Sequence, residues 1–144
     1  MNKELTEKAI QEYWDQWFVK GLQDFVRVPN LTPMVDSEYL TNGKVEQSID
    51  LVHQYIEKLE IPGLKQTKIQ PAGMTPLIVY EVPGEGKSIM LYGHLDKQPY
   101  GPGWDADKLP TDPVIIGDYM YGRGCSDDGY APFIVMLAVK LALL

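Results

Sequence analysis

One cysteine, two histidines and a shortage of basic residues narrow what this 144-residue chain can be. Cys125 stands alone, so no internal disulfide can form. That argues for a reducing, cytoplasmic compartment, with the thiol beside Ser126 acting as a small packing group. Thirteen Lys and Arg face twenty Asp and Glu, a net charge of −7, which argues against nucleic acid or an anionic membrane as main partner. The N-terminus, MNKELTEKAIQEYW, is charged and amphipathic and lacks the apolar centre of a signal peptide. The longest apolar run, APFIVMLAVKLALL, is too short to span a bilayer and carries Lys140. There is no repeat and no low-complexity tract. No G-x-G-x-x-G and no complete G-x-x-x-x-G-K-S/T loop follows a strand, which leaves little for a nucleotide-binding reading.

What remains is ordinary globular material: 44% apolar and 23% charged residues, enough for one domain or part of one. Ile10, Trp14, Trp17, Phe18, Leu22 and Phe25 recur at helical spacing and predict a helix over residues 4–27 that ends at Pro29. Val45, Ile49, Val52, Ile56 and Leu59 predict a second over 43–60, stopped by Pro62-Gly63, with His53 beside the stripe as a structural or surface histidine. LIVYEV (77–82) and SIMLYGH (88–94) read as an antiparallel strand pair across PGEG, with a weaker strand at 65–70. Residues 97–112 read as an irregular loop, and Gly117-Asp118 as the two-residue turn of a hairpin. An apolar helix runs from about residue 129 onward; it has no C-terminal cap, so the chain reads as cut in mid-element.

The chemistry concentrates at the end of SIMLYGH. Alternate residues of a strand share a side, so His94 and Asp96 project together. A carboxylate beside an imidazole can take its second N–H and leave the other nitrogen for a metal; a satisfied polar pair at a loop start has the same pattern. Gly93 allows close backbone approach just before the histidine. Asp127-Asp128 follow a Gly-rich turn and open the last helix. They suit helix capping, with Ser126 or Asp127 as N-cap, and equally a carboxylate spanning two cations. A His with carboxylates is a mixed N and O donor set that suits zinc, or manganese or cobalt.

Together GHLDKQP, the following WD, and YGRGCSDDG before an apolar helix resemble the zinc metallopeptidase family M-20, whose pattern is G-H-x-D and then G-R-G-x-x-D-D/M-K-G. The opening helix leading to VRVPNLTP is similar to that family's entry, so the resemblance extends from about residue 8 onward. The family includes carnosinase-type dipeptidases, aminoacylase, and the acetylornithine and succinyl-diaminopimelate deacylases. The resemblance implies an α/β fold, a mixed β-sheet of about five strands flanked by helices, here truncated. Residues 1–144 would be the N-terminal portion of one catalytic domain, without the lid or dimerisation domain; a homodimer is then open only to a longer protein. It implies that His94 ligates zinc and that Asp127 bridges two zincs. Asp96 would belong to the catalytic machinery by orienting His94 without touching metal, while Asp128 and Trp104 line the site. The peptide between the two acids would be cis. Gly129-Tyr130 depart from the family's Lys-Gly, and the general-base Glu and remaining ligands belong to a part of the pattern not found here. The implied activity is metal-dependent hydrolysis of peptide or amide bonds in small peptides or acyl amino acids, with this chain alone inactive. The alternative is a non-catalytic binding or regulatory fragment. Every version requires His94 and Asp127 to converge within one cation's reach.

Overall fold

A computed structural model describes residues 3–144. The opening helix has three parts: α1 (Lys3–Tyr13), a π-helical stretch (Trp14–Val19) and α2 (Lys20–Arg27). A π turn winds less per residue than an α turn, so it shifts the apolar stripe around the axis. The consequence corrects two expected core positions. Trp17, Phe18, Leu22 and Phe25 are buried, but Ile10 and Trp14 stay exposed, and Trp14 stacks on Phe18 from outside at 4.7 Å. Val28 leaves the helix in an extended conformation one residue before Pro29, as the residue preceding proline must.

Helix α3 (Lys44–Glu57) and helix α4 (Tyr130–Ala142) pack on this first helix. Their apolar faces join it in one core, where Trp17, Tyr55 and Phe133 meet edge to face with centroids 5.7–6.3 Å apart. Trp17 does not bury a bare donor, because its indole N–H donates to the Tyr55 carbonyl at 2.6 Å. At the rim, the Tyr55 hydroxyl donates to Asp24, which also pairs with Lys20 and Arg27. Burial pushes the Asp24 carboxyl up, but hydrogen bonds from Tyr55 and Lys20 and the nearby cations outweigh it and hold the group below its ordinary value. Tyr55→Phe should therefore cost about 1–2 kcal/mol at neutral pH. Because Asp24's folded value is depressed, this contribution is full above the ordinary carboxylate range and fades as acid takes the pH down through the folded value. Urea midpoints of both proteins at neutral and acid pH check it; equal midpoints at neutral pH would exclude it.

The β structure departs from expectation. Strand β1 (Lys65–Ile69) pairs antiparallel with β2 (Leu77–Glu81), Lys65 opposite Glu81, and β3 (Val114–Ile116) pairs with β4 (Tyr119–Tyr121) around Gly117-Asp118. The predicted hairpin at 117–118 and the weaker strand at 65–69 are thus present. The expected pairing of 77–82 with 88–94 is not, and two separate two-stranded sheets stand where one mixed sheet of about five strands was expected. An apolar run of this kind is a strand when neighbours cover both its faces and both its edges. None of the described elements does so, and Ile89, Met90, Leu91 and Tyr92 lie 84, 93, 59 and 79% exposed. Among the described residues, no helix is long and apolar enough to cross a membrane.

Candidate metal centre

Two arms meet at the α2 end of the core. The first is the extended segment that ends the apolar run. Its inner side chains are Leu95, which packs against the core, and Lys97, which is buried; its outer ones are His94 and Asp96, both part-exposed. This is the strand alternation expected, kept although the segment belongs to no ladder and pairs through the isolated parallel bridge of Lys97 with Leu31. The second arm is the turn from Arg123 to Gly129 that leads into α4. Capping of the helix by Ser126 or Asp127 is one of the two roles its sequence suits. In fact Gly129 occupies the N-cap position and no side chain caps the helix. That leaves both acids without a capping task. Asp128 turns back to the first arm, its carboxylate 3.3 Å from the His94 backbone N–H, and the Asp127-Asp128 peptide is cis.

The arms fit closely because glycines stand where they touch. A Cβ on Gly93 would lie 2.8 Å from Ala131 Cβ and 3.3 Å from an Asp128 oxygen. One on Gly129 would lie 2.3 Å from the Phe25 ring and 2.4 Å from the Gly124 carbonyl. The absence of a lysine at position 129 thus has a steric basis in this chain.

His94 sits between two carboxylates. Its Nδ1 is 3.2 Å from Asp96 Oδ1 and 3.1 Å from the Asp96 carbonyl oxygen, and its Nε2 is 3.3 Å from Asp127 Oδ1. A neutral imidazole that donates Nδ1–H toward Asp96 presents a lone pair at Nε2, facing a second acceptor. Two acceptors aimed at each other require a cation between or beside them: a proton on the ring, giving an ion pair, or a metal. An ion ~2.1 Å from each donor at a tetrahedral angle holds them ~3.4 Å apart, so the separation fits zinc as well as it fits an ion pair. The Asp127 side chain is 66% exposed and that of His94 33%, which leaves the pair open to ions and small molecules. Among the described residues, however, no group of three His, Cys, Asp or Glu side chains is placed to hold a metal.

Trp104 donates its indole N–H to the Tyr100 carbonyl at 2.7 Å and lies under the Arg123 guanidinium, a cluster of the 97–112 loop. His53 pairs with Glu57 at 3.3 Å and stacks on Tyr80, consistent with a structural role. Cys125 is half-buried with its thiol raised by burial.

Sequence reasoning missed Lys97. It is 1% exposed, and its ammonium donates to the carbonyls of Phe25 at 2.6 Å, Val26 at 3.3 Å and Val28 at 2.5 Å, above the Phe25 ring. Burial pushes its pKa down to about 7, while the carbonyls and the ring favour the charged form and oppose that. A signal was available: α2 has no glycine after its last turn, so its end carbonyls, though Phe25 and Val28 accept from the Val28 and Asn30 N–H groups, keep lone pairs free for a further donor.

No family model matches the chain. It is 34% identical over 89 residues to the succinyl-diaminopimelate desuccinylase of Wolinella succinogenes, a match covering 60% of this chain and 24% of that protein. It is 36% identical over 64 residues to the desuccinylase of a Nitratiruptor species, covering 43% of this chain and 17% of that one. With the Sulfurimonas denitrificans desuccinylase it shares 30% identity over 88 residues, 60% of this chain and 22% of the relative. The matches thus span about a quarter or less of those relatives. The resemblance to the M-20 metallopeptidases carried by the motifs is borne out by these similarities.

Proposed function

We propose, from that kinship, that the chain is the N-terminal portion of the catalytic domain of a metal-dependent amide hydrolase. Its substrates would be small: dipeptides or N-acyl amino acids. The observation that carries the reading is the 3.3 Å approach of His94 Nε2 to Asp127 Oδ1, with Asp96 behind the ring. His94 would act as the neutral donor. Asp127 would bring negative charge and, having two oxygens, could serve two cations. Asp96 would keep the Nδ1 proton and so the ring's tautomer and aim. Asp128 would hold the first arm through the His94 N–H. Zinc is the group this donor set suits, with manganese or cobalt as substitutes; when bound it would supply Lewis acidity toward an amide carbonyl and acidify water.

Two donors are fewer than the three or four that zinc sites ordinarily use. The chain alone is therefore expected to bind zinc weakly and to leave amides intact, which also supports the second reading, a non-catalytic fragment. Calorimetric titration of residues 1–144 with zinc tests this: sub-micromolar affinity would contradict it. A polypeptide that continues the chain, assayed with added metals against dipeptides and N-acyl amino acids, separates the readings. Turnover supports the enzyme; none with any metal favours the fragment.

A further inference from the structure

Both arms of the candidate site converge on one side chain that touches neither donor. Lys97 follows Asp96 directly and points the opposite way, into the protein. Its three ammonium hydrogens match three acceptors, the Phe25, Val26 and Val28 carbonyls at the end of α2. Its backbone is fixed as well: its N–H donates to the Asn30 carbonyl at 3.1 Å, and its carbonyl accepts from the Thr32 N–H at 2.8 Å. Asn30 in turn donates to the Leu95 carbonyl at 2.7 Å, so the residues around His94 are tied down from both sides. The second arm rests on the same lysine. Gly124, at φ +86°, lies against the Lys97 stem so closely that a Cβ there would be 2.8 Å from Cγ. Gly124 then accepts the Gly129 N–H at 2.9 Å, closing the turn that carries Asp127.

We infer that Lys97 is a positioning residue: by anchoring its ammonium on the last carbonyls of α2 and its stem under Gly124, it sets the distance between His94 and Asp127. The Phe25 ring, under the Lys97 ammonium and against Gly129, packs at the same junction, but Lys97 is the side chain that hydrogen-bonds the end of α2 from the first arm. The inference rests on the proposed metal reading of the His94–Asp127 pair, and the experiment keeps the two apart. The 144-residue chain is titrated with Mn2+ while amide NMR signals are followed. In the native chain, paramagnetic broadening should centre on His94 and Asp127, and Asp127→Ala should remove it. Lys97→Met keeps the stem and deletes the charge; it should weaken the apparent Mn2+ affinity about tenfold, the scale of losing a group that orients a ligand. Leu59→Ala, a core truncation, should lower stability and leave that affinity unchanged, which a merely structural role for Lys97 would not distinguish. Native affinity in a folded Lys97→Met chain overturns the inference alone. No broadening at His94 and Asp127 in the native chain overturns the metal reading and the inference with it. If neither Lys97→Met nor Lys97→Gln gives a dispersed spectrum, the lysine serves the whole fold and the inference falls.

Discussion

Asp127→Ala is expected to abolish amide hydrolysis in any active polypeptide that contains this chain, by at least about a thousandfold. Asp127 is the carboxylate that faces Nε2 of His94, at 3.3 Å. Removing it takes away both a donor and the charge that would hold a cation, and stabilisation of several kcal/mol at the reacting carbonyl corresponds to about that factor in rate. Asp96→Asn should lose less, about 10–100-fold, because it alters the orientation of His94 and deletes no donor. His53→Ala is the control. That ring lies with Glu57 and Tyr80, so its loss should leave turnover within about twofold, an effect of packing only. Steady-state rates on a dipeptide and an N-acyl amino acid, with metal content measured in each variant, decide the matter. Equal losses for Asp127→Ala and His53→Ala would undo the assignment of the site.

The parts legible in the sequence were those set by local periodicity. The stripe through Trp17, Leu22 and Phe25, the stripe through Val52, Ile56 and Leu59, and the Gly117-Asp118 turn each follow from residues a few positions apart. So does the shared side of His94 and Asp96, which needs only the two-residue repeat of extended chain. The convergence of Asp127 on His94 is not local, and only the combined motifs pointed to it. Two features were hidden for different reasons. The π turn at Trp14–Val19 moves Ile10 and Trp14 off the core without any glycine or proline to announce it. Lys97 lies in a stretch rich in proline and glycine, where a lysine reads as a solvated charge. Its burial depends on carbonyls some seventy positions earlier in the chain. Pairing of the 88–94 run could not be settled from periodicity, because an apolar strand states that it needs neighbours and not which ones.

That unpaired run sets the second large effect, self-association. Ile89, Met90, Leu91 and Tyr92 place exposed apolar side chains on both faces of an extended segment without ladder partners among the described residues. Burying four such side chains gains about 6–12 kcal/mol at about 1.5–3 each. Bringing two molecules together costs about 4–15 kcal/mol, so side-chain burial alone comes close to cancelling. Strand-to-strand hydrogen bonds, at about 0.5–1.5 kcal/mol each, then tip the balance, because the edge offers its free N–H and C=O groups in a row. The chain is accordingly expected to associate at tens of micromolar, on the scale of about 6–7 kcal/mol of net affinity. Substituting Ile89→Lys together with Met90→Lys places one charge on each face of the run, the device by which natural edge strands avoid pairing. Both side chains are already exposed, so folding stability should change by no more than about 0.5 kcal/mol per site. Sedimentation velocity of the native and doubly substituted chains, with urea melts alongside, tests the argument. A monomeric native chain at 100 µM, roughly ten times the expected dissociation constant, would refute it, as would a double variant that associates equally well. Loss of association at unchanged urea midpoint would place the cause in the exposed run and leave the helical core, where Trp17, Tyr55 and Phe133 meet, as an independent source of stability.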